Sequence, residues 1–324
     1  MSAIPGAAAA MGAVLAFALA SVRHRARVRF PKSCVVTALY SYPVKGCRGI
    51  SHDCVAVTEL GLACDRQWMV VDDRFAFISQ RTHPGLALVQ VKIDDVAMHL
   101  SCPEKAARST LSVALRPRGE RAKVKVRVWD AEVDGAEDEG DEAARWFSSV
   151  LNDSVRLVRF NPAQCSRPIR RFPSEQVAFA DAFPCLLAND ASIAELNRRL
   201  CRARLEPVTM DRFRPNVVIN GIDAFVEDGR FTLRGEYVVF EAVKPCDRCK
   251  VPTIDQSTGV ASAQNQPTAM LKTFRRIFDN HDVFFGNNML VRTTGTLRVG
   301  EVLALEWTSS LPSIPALPAA ATLA

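Results

Sequence analysis

The chain has 324 residues, 48% hydrophobic and 23% charged, with a formal net charge of +6. That is enough chain for one large or two ordinary domains with a substantial core, and the balance excludes the disordered and fibrous classes. Arg23, Arg25, Arg27 and Arg29 carry four of the net charges, and the basic cluster from Arg116 to Arg127 is offset by the acidic run from Asp130 to Glu142, so the basic footprint of a nucleic-acid binder is missing.

In chain order, the first feature is "SAIPGAAAAMGAVLAFALASV", residues 2–22, which carries no charge and is close to the ~20 residues that cross a hydrocarbon core. The basic stretch "RHRARVR" follows it, whereas a secretory signal places its positive charge before the apolar region. The bias of Lys and Arg towards the cytoplasmic side predicts an N-terminal membrane anchor with the folded part in the cytosol. A cleaved organelle-targeting peptide and an Ala-rich tail are the alternatives. Residues 1–32 are set apart as anchor and basic collar.

Short apolar runs punctuated by turn residues follow. "CVVTALYSYPV", "HDCVAVTEL", "RQWMVVDD", "FAFIS" and "LALVQVKI" predict strands, and "AKVKVRVWDAEVDG" alternates as a strand with one wet face. A helix is predicted from about Glu142 to Leu151, with Trp146, Phe147, Val150 and Leu151 on one face. Asn152-Asp153 then gives a turn and a domain joint, dividing residues 33–152 from residues 153–308. Ser192-x-x-Glu195 predicts a capping box opening a second helix, with Ile193, Leu196 and Leu200 on its apolar face. A third helix is expected over Thr268 to Phe278. Further strands are "RLVRF", "PNVVING", "RFTLRGEYVVFEAV", "VPTID", "NNMLVRT" and "LRVGEVLALEW"; residues 309–324 are a Pro/Ala-rich tail predicted to be disordered. The expected class is mostly β with a few helices (α+β), closed as a barrel to remove sheet edges.

The ten cysteines lie mostly singly among apolar residues, as reduced thiols do. Cys246 and Cys249 differ, standing three apart in "KPCDRCKVPTIDQSTG". A zinc site needs a second pair of ligands, and the five histidines show no paired spacing. A redox dithiol needs a helix after it, and Val251 to Ile254 oppose one. A thiolate offered to a soft metal remains, with Lys244, Arg248 and Lys250 to favour its ionisation, beside the plain alternative of two small residues at a strand end.

That stretch, with "RFRPNVVING", "YSYPVKGCRG" and "DRQWMVVD", resembles the MOSC domain proteins that carry an N-terminal MOSC β-barrel domain, most closely their mitochondrial amidoxime-reducing branch. The resemblance extends from about Cys34 to Trp307 with the four motifs in order. It implies a MOSC-type β-barrel preceded by a β-rich domain, and a molybdenum–molybdopterin cofactor. Cys249 matches the position of the metal-ligating, catalytic thiolate, and Cys246 a neighbour that is not the ligand. Lys45, Arg66, Arg214 and Asn216 match cofactor-binding positions, with Arg248 a weaker candidate. An arginine fork suits a phosphate, and Pro215 is expected to hold Arg214 extended.

The resemblance also implies reduction of small N-hydroxylated compounds (amidoximes, hydroxylamines, N-oxides). Electrons would come from cytochrome b5 and NADH-cytochrome b5 reductase, at a domain facing the cytosol from the mitochondrial outer membrane. Gly46, Ala182, Phe183 and Asp247 depart from the hydroxyl-bearing pattern of the animal members. A cofactor or sulfur carrier using Cys249 as a persulfide, and a metal-free β-barrel binding module, are the rival readings.

Overall fold

A computed structural model describes residues 31–104, 110–116, 119–278 and 282–308. The anchor and collar and the C-terminal tail expected from the sequence therefore lie outside the described residues. No helix among those described is long and apolar enough to cross a membrane.

Seven strands form a closed ring: β1 Ser33–Ser41, β2 Cys185–Asn189, β3 Val217–Asn220, β4 Phe231–Arg234, β5 Val239–Asp247, β6 Phe284–Thr293 and β7 Val302–Trp307. Their order around the barrel is β3-β2-β6-β5-β4-β7-β1, and β1 pairs again with β3 to close it. All of these pairings are antiparallel except β2 with β3. That parallel pair needs a crossover, which contains α2, Asp190–Arg202. Inward residues such as Leu39, Leu187, Phe231, Phe240 and Leu303 fill the barrel interior.

A second sheet pairs Trp68–Val71, Arg156–Arg159, Ala131–Asp138 and Lys123–Val128 in that order. Against it lies α1, Asp141–Leu151, whose Trp146, Phe147 and Val150 enter a core with Trp68, Val70 and Leu157. Asn152 ends that helix in the left-handed conformation at φ 54°, as its turn signal suggests.

Several local expectations are corrected. The α2 N-cap is Asn189, whose side chain accepts from Ala191 N at 3.0 Å; Ser192 is buried inside the helix and donates to Glu227 Oε1 at 2.5 Å. The third helix, α3, covers only Thr268–Lys272, because Arg275 turns inward to a buried pair with Asp228 at 2.6 Å. "FAFIS" contributes isolated bridges rather than a strand, and "VPTID" begins with a 3-10 turn, Val251–Thr253. Pro252 lies at the start of that turn, and Thr253 Oγ1 bonds back to Lys250 O at 2.7 Å.

Candidate functional site

Lys45, Arg66, the Arg214/Asn216 pair and the Arg248/Cys249 pair come from four separate stretches of the sequence, yet all six residues line one cavity of about 420 Å³. Strand β5 delivers the cysteines. Its pairing with β6 slips between Pro245 and Asp247, at a bulge where proline is tolerated because the ladder is already broken. Cys246, Arg248 and Cys249 follow in the cavity wall. Cys249 is exposed and Cys246 half-buried. Among the described residues no three His, Cys, Asp or Glu side chains converge as a metal site.

Of the basic residues near the pair, Arg248 reaches a thiol as expected from the sequence, whereas Lys244 is taken up by a carboxylate. Lys244 is paired with Asp247 at 3.0 Å. Arg248 Nη1 donates to Cys246 Sγ at 3.1 Å and Nη2 to Phe213 O at 2.8 Å. Burial still pushes the Cys246 thiol up, with Arg248 opposing it.

The cofactor-binding candidates meet around Tyr42. Arg66 and Arg214 have their guanidinium carbons 4.3 and 4.2 Å from its ring centre, within the range of cation–π attraction. Both arginines are left-handed, at φ 46° and 55°. This overturns the expectation that Pro215 holds Arg214 extended: Arg214 closes a 3-10 turn, Met210–Phe213, and its N–H bonds to Asp211 O at 3.1 Å. Non-glycine residues hold this region only where their surroundings fix them, and such strain gathers at functional sites.

Their charges are treated differently. Arg66 Nη1 grips Asp65 at 2.6 and 2.7 Å and Asn216 Oδ1 at 3.1 Å. Asn216, 1% exposed, donates to Asp65 Oδ1 at 2.9 Å and Tyr40 O at 3.1 Å and accepts from Leu186 N at 3.0 Å. Its amide is thus hydrogen-bonded within the protein on both its oxygen and its nitrogen, and the oxygen helps to hold Arg66. Arg214 is 9% exposed; its Nη1 has only a 3.5 Å contact to Gln256 Oε1 and its Nη2 has no partner. Burial pulls it down to about 10, with Tyr42 opposing. A buried guanidinium with an unpaired nitrogen invites an anion. Arg248 Nε is likewise buried without a partner.

Elsewhere in the cavity wall Lys45 Nζ donates to Phe179 O at 2.9 Å and Asp181 Oδ1 at 2.5 Å. Burial lowers the Lys45 pKa while Asp181 raises it. Desolvation opposes ionisation of Asp181, but Lys45, with the Trp129 hydrogen bond and the Arg66 charge beside it, holds that carboxyl below the ordinary range. The departures at this wall are apolar: Phe183 is buried, 6.1 Å from Phe172, and a side chain on Gly46 (φ 88°) would meet Leu86 at 2.9 Å.

Sequence reasoning missed Tyr42, Asp65, Gln80, Arg81, Trp129 and Gln256. Gln80 and Gln256 face each other with two reciprocal amide bonds of 2.9 Å, joining positions 176 residues apart; nothing local signals such a pair. Asp65, next to Arg66 in "CDRQW", was the one with a readable local signal.

Residues 33–154 match the family model described as the MOSC N-terminal beta barrel domain, and residues 174–304 match the MOSC domain. A mouse protein named mitochondrial amidoxime-reducing component 1 is 32% identical over 315 residues, covering 92% of this chain and 89% of its own length. The human protein of that name is 32% identical over 286 residues, covering 83% of this chain and 82% of itself.

Proposed function

The chain belongs to the MOSC proteins with an N-terminal MOSC β-barrel domain, and on that premise we propose that it is a molybdenum-cofactor-dependent oxidoreductase that reduces N-hydroxylated compounds. The observation that carries this reading is the unpaired Arg214 Nη2 in the same cavity as the exposed Cys249 thiol. An anionic, metal-bearing group fits both at once. When bound, the cofactor would supply the two-electron chemistry that removes oxygen from an N–OH or N-oxide group; such chemistry belongs to the cofactor and its placement to the protein.

Cys249 is the proposed metal ligand. Arg214 and Arg248 offer unpaired N–H groups to the anionic part of the cofactor, and Arg66, clamped by Asp65 and Asn216, fixes the shape of that pocket. Lys45 and Asp181 neutralise each other in the cavity wall. Because Asp181 stays ionised, it orients Lys45 and donates no proton at neutral pH. With Gly46, Ala182 and Phe183 in place of hydroxyl-bearing residues, cofactor binding relies on guanidinium and backbone groups. Electrons would come singly from cytochrome b5 and its NADH-dependent reductase, and the relatives' names favour a mitochondrial setting, with the N-terminal segment anchoring the protein in the outer membrane and the catalytic domain facing the cytosol.

The test uses full-length protein from a host that makes the cofactor, assayed for molybdenum and for benzamidoxime reduction with the cytochrome b5 system. We expect stoichiometric molybdenum and turnover, both lost in Cys249→Ala and retained in Cys246→Ala. Metal-free wild-type protein, or full activity in Cys249→Ala, would overturn the reading.

A further inference from the structure

At the mouth of the cavity stands a group of side chains that this scheme leaves idle. The hairpin joining Lys123–Val128 to Ala131–Asp138 turns through Trp129 and Asp130, with Trp129 left-handed at φ 59°. Tight hairpin turns favour Asn, Asp or Gly there, and a bulky residue in that conformation is an outlier that its surroundings must hold. Here the indole N–H donates to Asp181 Oδ1 at 3.1 Å, and Phe77 packs 5.0 Å away, centre to centre. The indole is thus fixed while 43% exposed.

Arg81 lies on that indole, its guanidinium carbon 4.2 Å from the ring centre, and both residues line the cavity. Of its guanidinium nitrogens only Nε is hydrogen-bonded among the described residues, to Ser79 Oγ at 3.2 Å. No carboxylate pairs with it, although this chain pairs most of its other cavity cations. A planar fork immobilised on an aromatic face, with both terminal amino groups free, is preorganised for two-pronged binding of an oxyanion. Arg214 is buried, whereas Arg81 is half-buried beside a partly exposed indole, which leaves Arg81 the more open of the two to an anion carried by a substrate.

We propose that Arg81, stacked on Trp129, is a specificity-determining residue that captures a carboxylate on the substrate at the end remote from the N–OH group, so that the protein favours N-hydroxylated compounds carrying an anionic substituent. This rests on the reductase reading and adds the substrate class.

Two measurements on the holoenzyme separate its fate from that of the reading beneath it. The first compares reduction of 4-carboxybenzamidoxime with that of benzamidoxime in wild type, Arg81→Ala and Arg81→Lys. The ratio of the two kcat/KM values should fall by roughly tenfold or more in Arg81→Ala, chiefly through KM of the carboxylated compound, as loss of a charged hydrogen bond predicts. Arg81→Lys, which keeps the charge and loses the fork, should fall between. The second needs no turnover: calorimetric titration with 4-amidinobenzoate, the non-reactive analogue, should show weaker binding in Arg81→Ala by a similar factor, with molybdenum content unchanged. An unaltered ratio together with unaltered binding overturns the proposal. Loss of molybdenum in Arg81→Ala also overturns it, because the oxyanion held there would then be the cofactor's. If wild type reduces neither amidoxime yet Arg81→Ala weakens 4-amidinobenzoate binding, the carboxylate site stands and the reductase reading falls.

Discussion

Arg214 shows how one residue can be unfavourable for the empty protein and useful for the loaded one. Its guanidinium is buried with Nη2 unpaired and its backbone is left-handed, and an uncompensated buried charge destabilises a fold. Arg214→Met keeps most of the volume and the contact with Tyr42 while removing the charge. The cofactor-free variant should therefore melt at the wild-type temperature or roughly 2 °C above it. Loss of a charged hydrogen bond should lower cofactor affinity by roughly 10- to 100-fold, read as molybdenum content under limiting cofactor. A variant that melts lower and keeps its molybdenum would show that Arg214 is structural. The residue type was legible from the "RPN" motif, but its backbone was not. The general bias before proline was outweighed by the 3-10 turn that ends on Arg214 and by the stack on Tyr42.

Among the elements, the strands were the most legible, because alternation records which face is buried: β1 alternates buried and exposed positions through Val36. Where long-range partners decide, the pattern misled. Ser192 has the spacing of a cap, yet its hydroxyl is consumed by Glu227 and by Phe225 N at 2.8 Å. Glu227 lies on the 3-10 turn Val226–Asp228, fully buried, facing Asp228, which is itself paired with Arg275, and receiving an N–H from Asn189 at 3.2 Å. Burial first, and the Asp228 charge second, push the Glu227 carboxyl above its ordinary 4.5. The folded protein thus holds this proton more tightly than the unfolded chain does. Stability from the site is fully present below pH 4.5 and is lost as pH rises towards the folded value. Glu227→Gln, which removes the charge and keeps one of the two acceptor oxygens, should remove that decline. The gap between variant and wild type in denaturant stability should widen by about 1–3 kcal/mol between acid and neutral pH. A gap that stays constant with pH would show that Glu227 ionises in the fold as it does in water.

For the molecule as a whole, the apparent joint at Asn152-Asp153 divides the sequence more cleanly than it divides the structure. The barrel formed by residues after the joint takes one of its seven staves, β1, from residues before it, and β1 contacts β3 on one side and β7 on the other. The strand Gly295–Arg298 reaches back in the same way to pair with Cys54–Thr58. The site is likewise shared, since Lys45, Arg66, Arg81 and Trp129 come from the first segment and Arg214, Arg248 and Cys249 from the second. Without β1 the barrel would open between β3 and β7 and leave two unpaired edges, which promote aggregation. Residues 153–308 expressed alone should therefore be insoluble or lack a cooperative melt. Residues 32–308 should unfold in one transition, with calorimetric and van't Hoff enthalpies equal. Cleavage engineered at the 152–153 bond should leave the two pieces associated in size-exclusion chromatography, still melting together, because the contacts that hold the barrel closed do not depend on that bond. A soluble 153–308 fragment with its own sharp melt would mean that β1 is an accessory strand, and that the two segments fold separately before they meet.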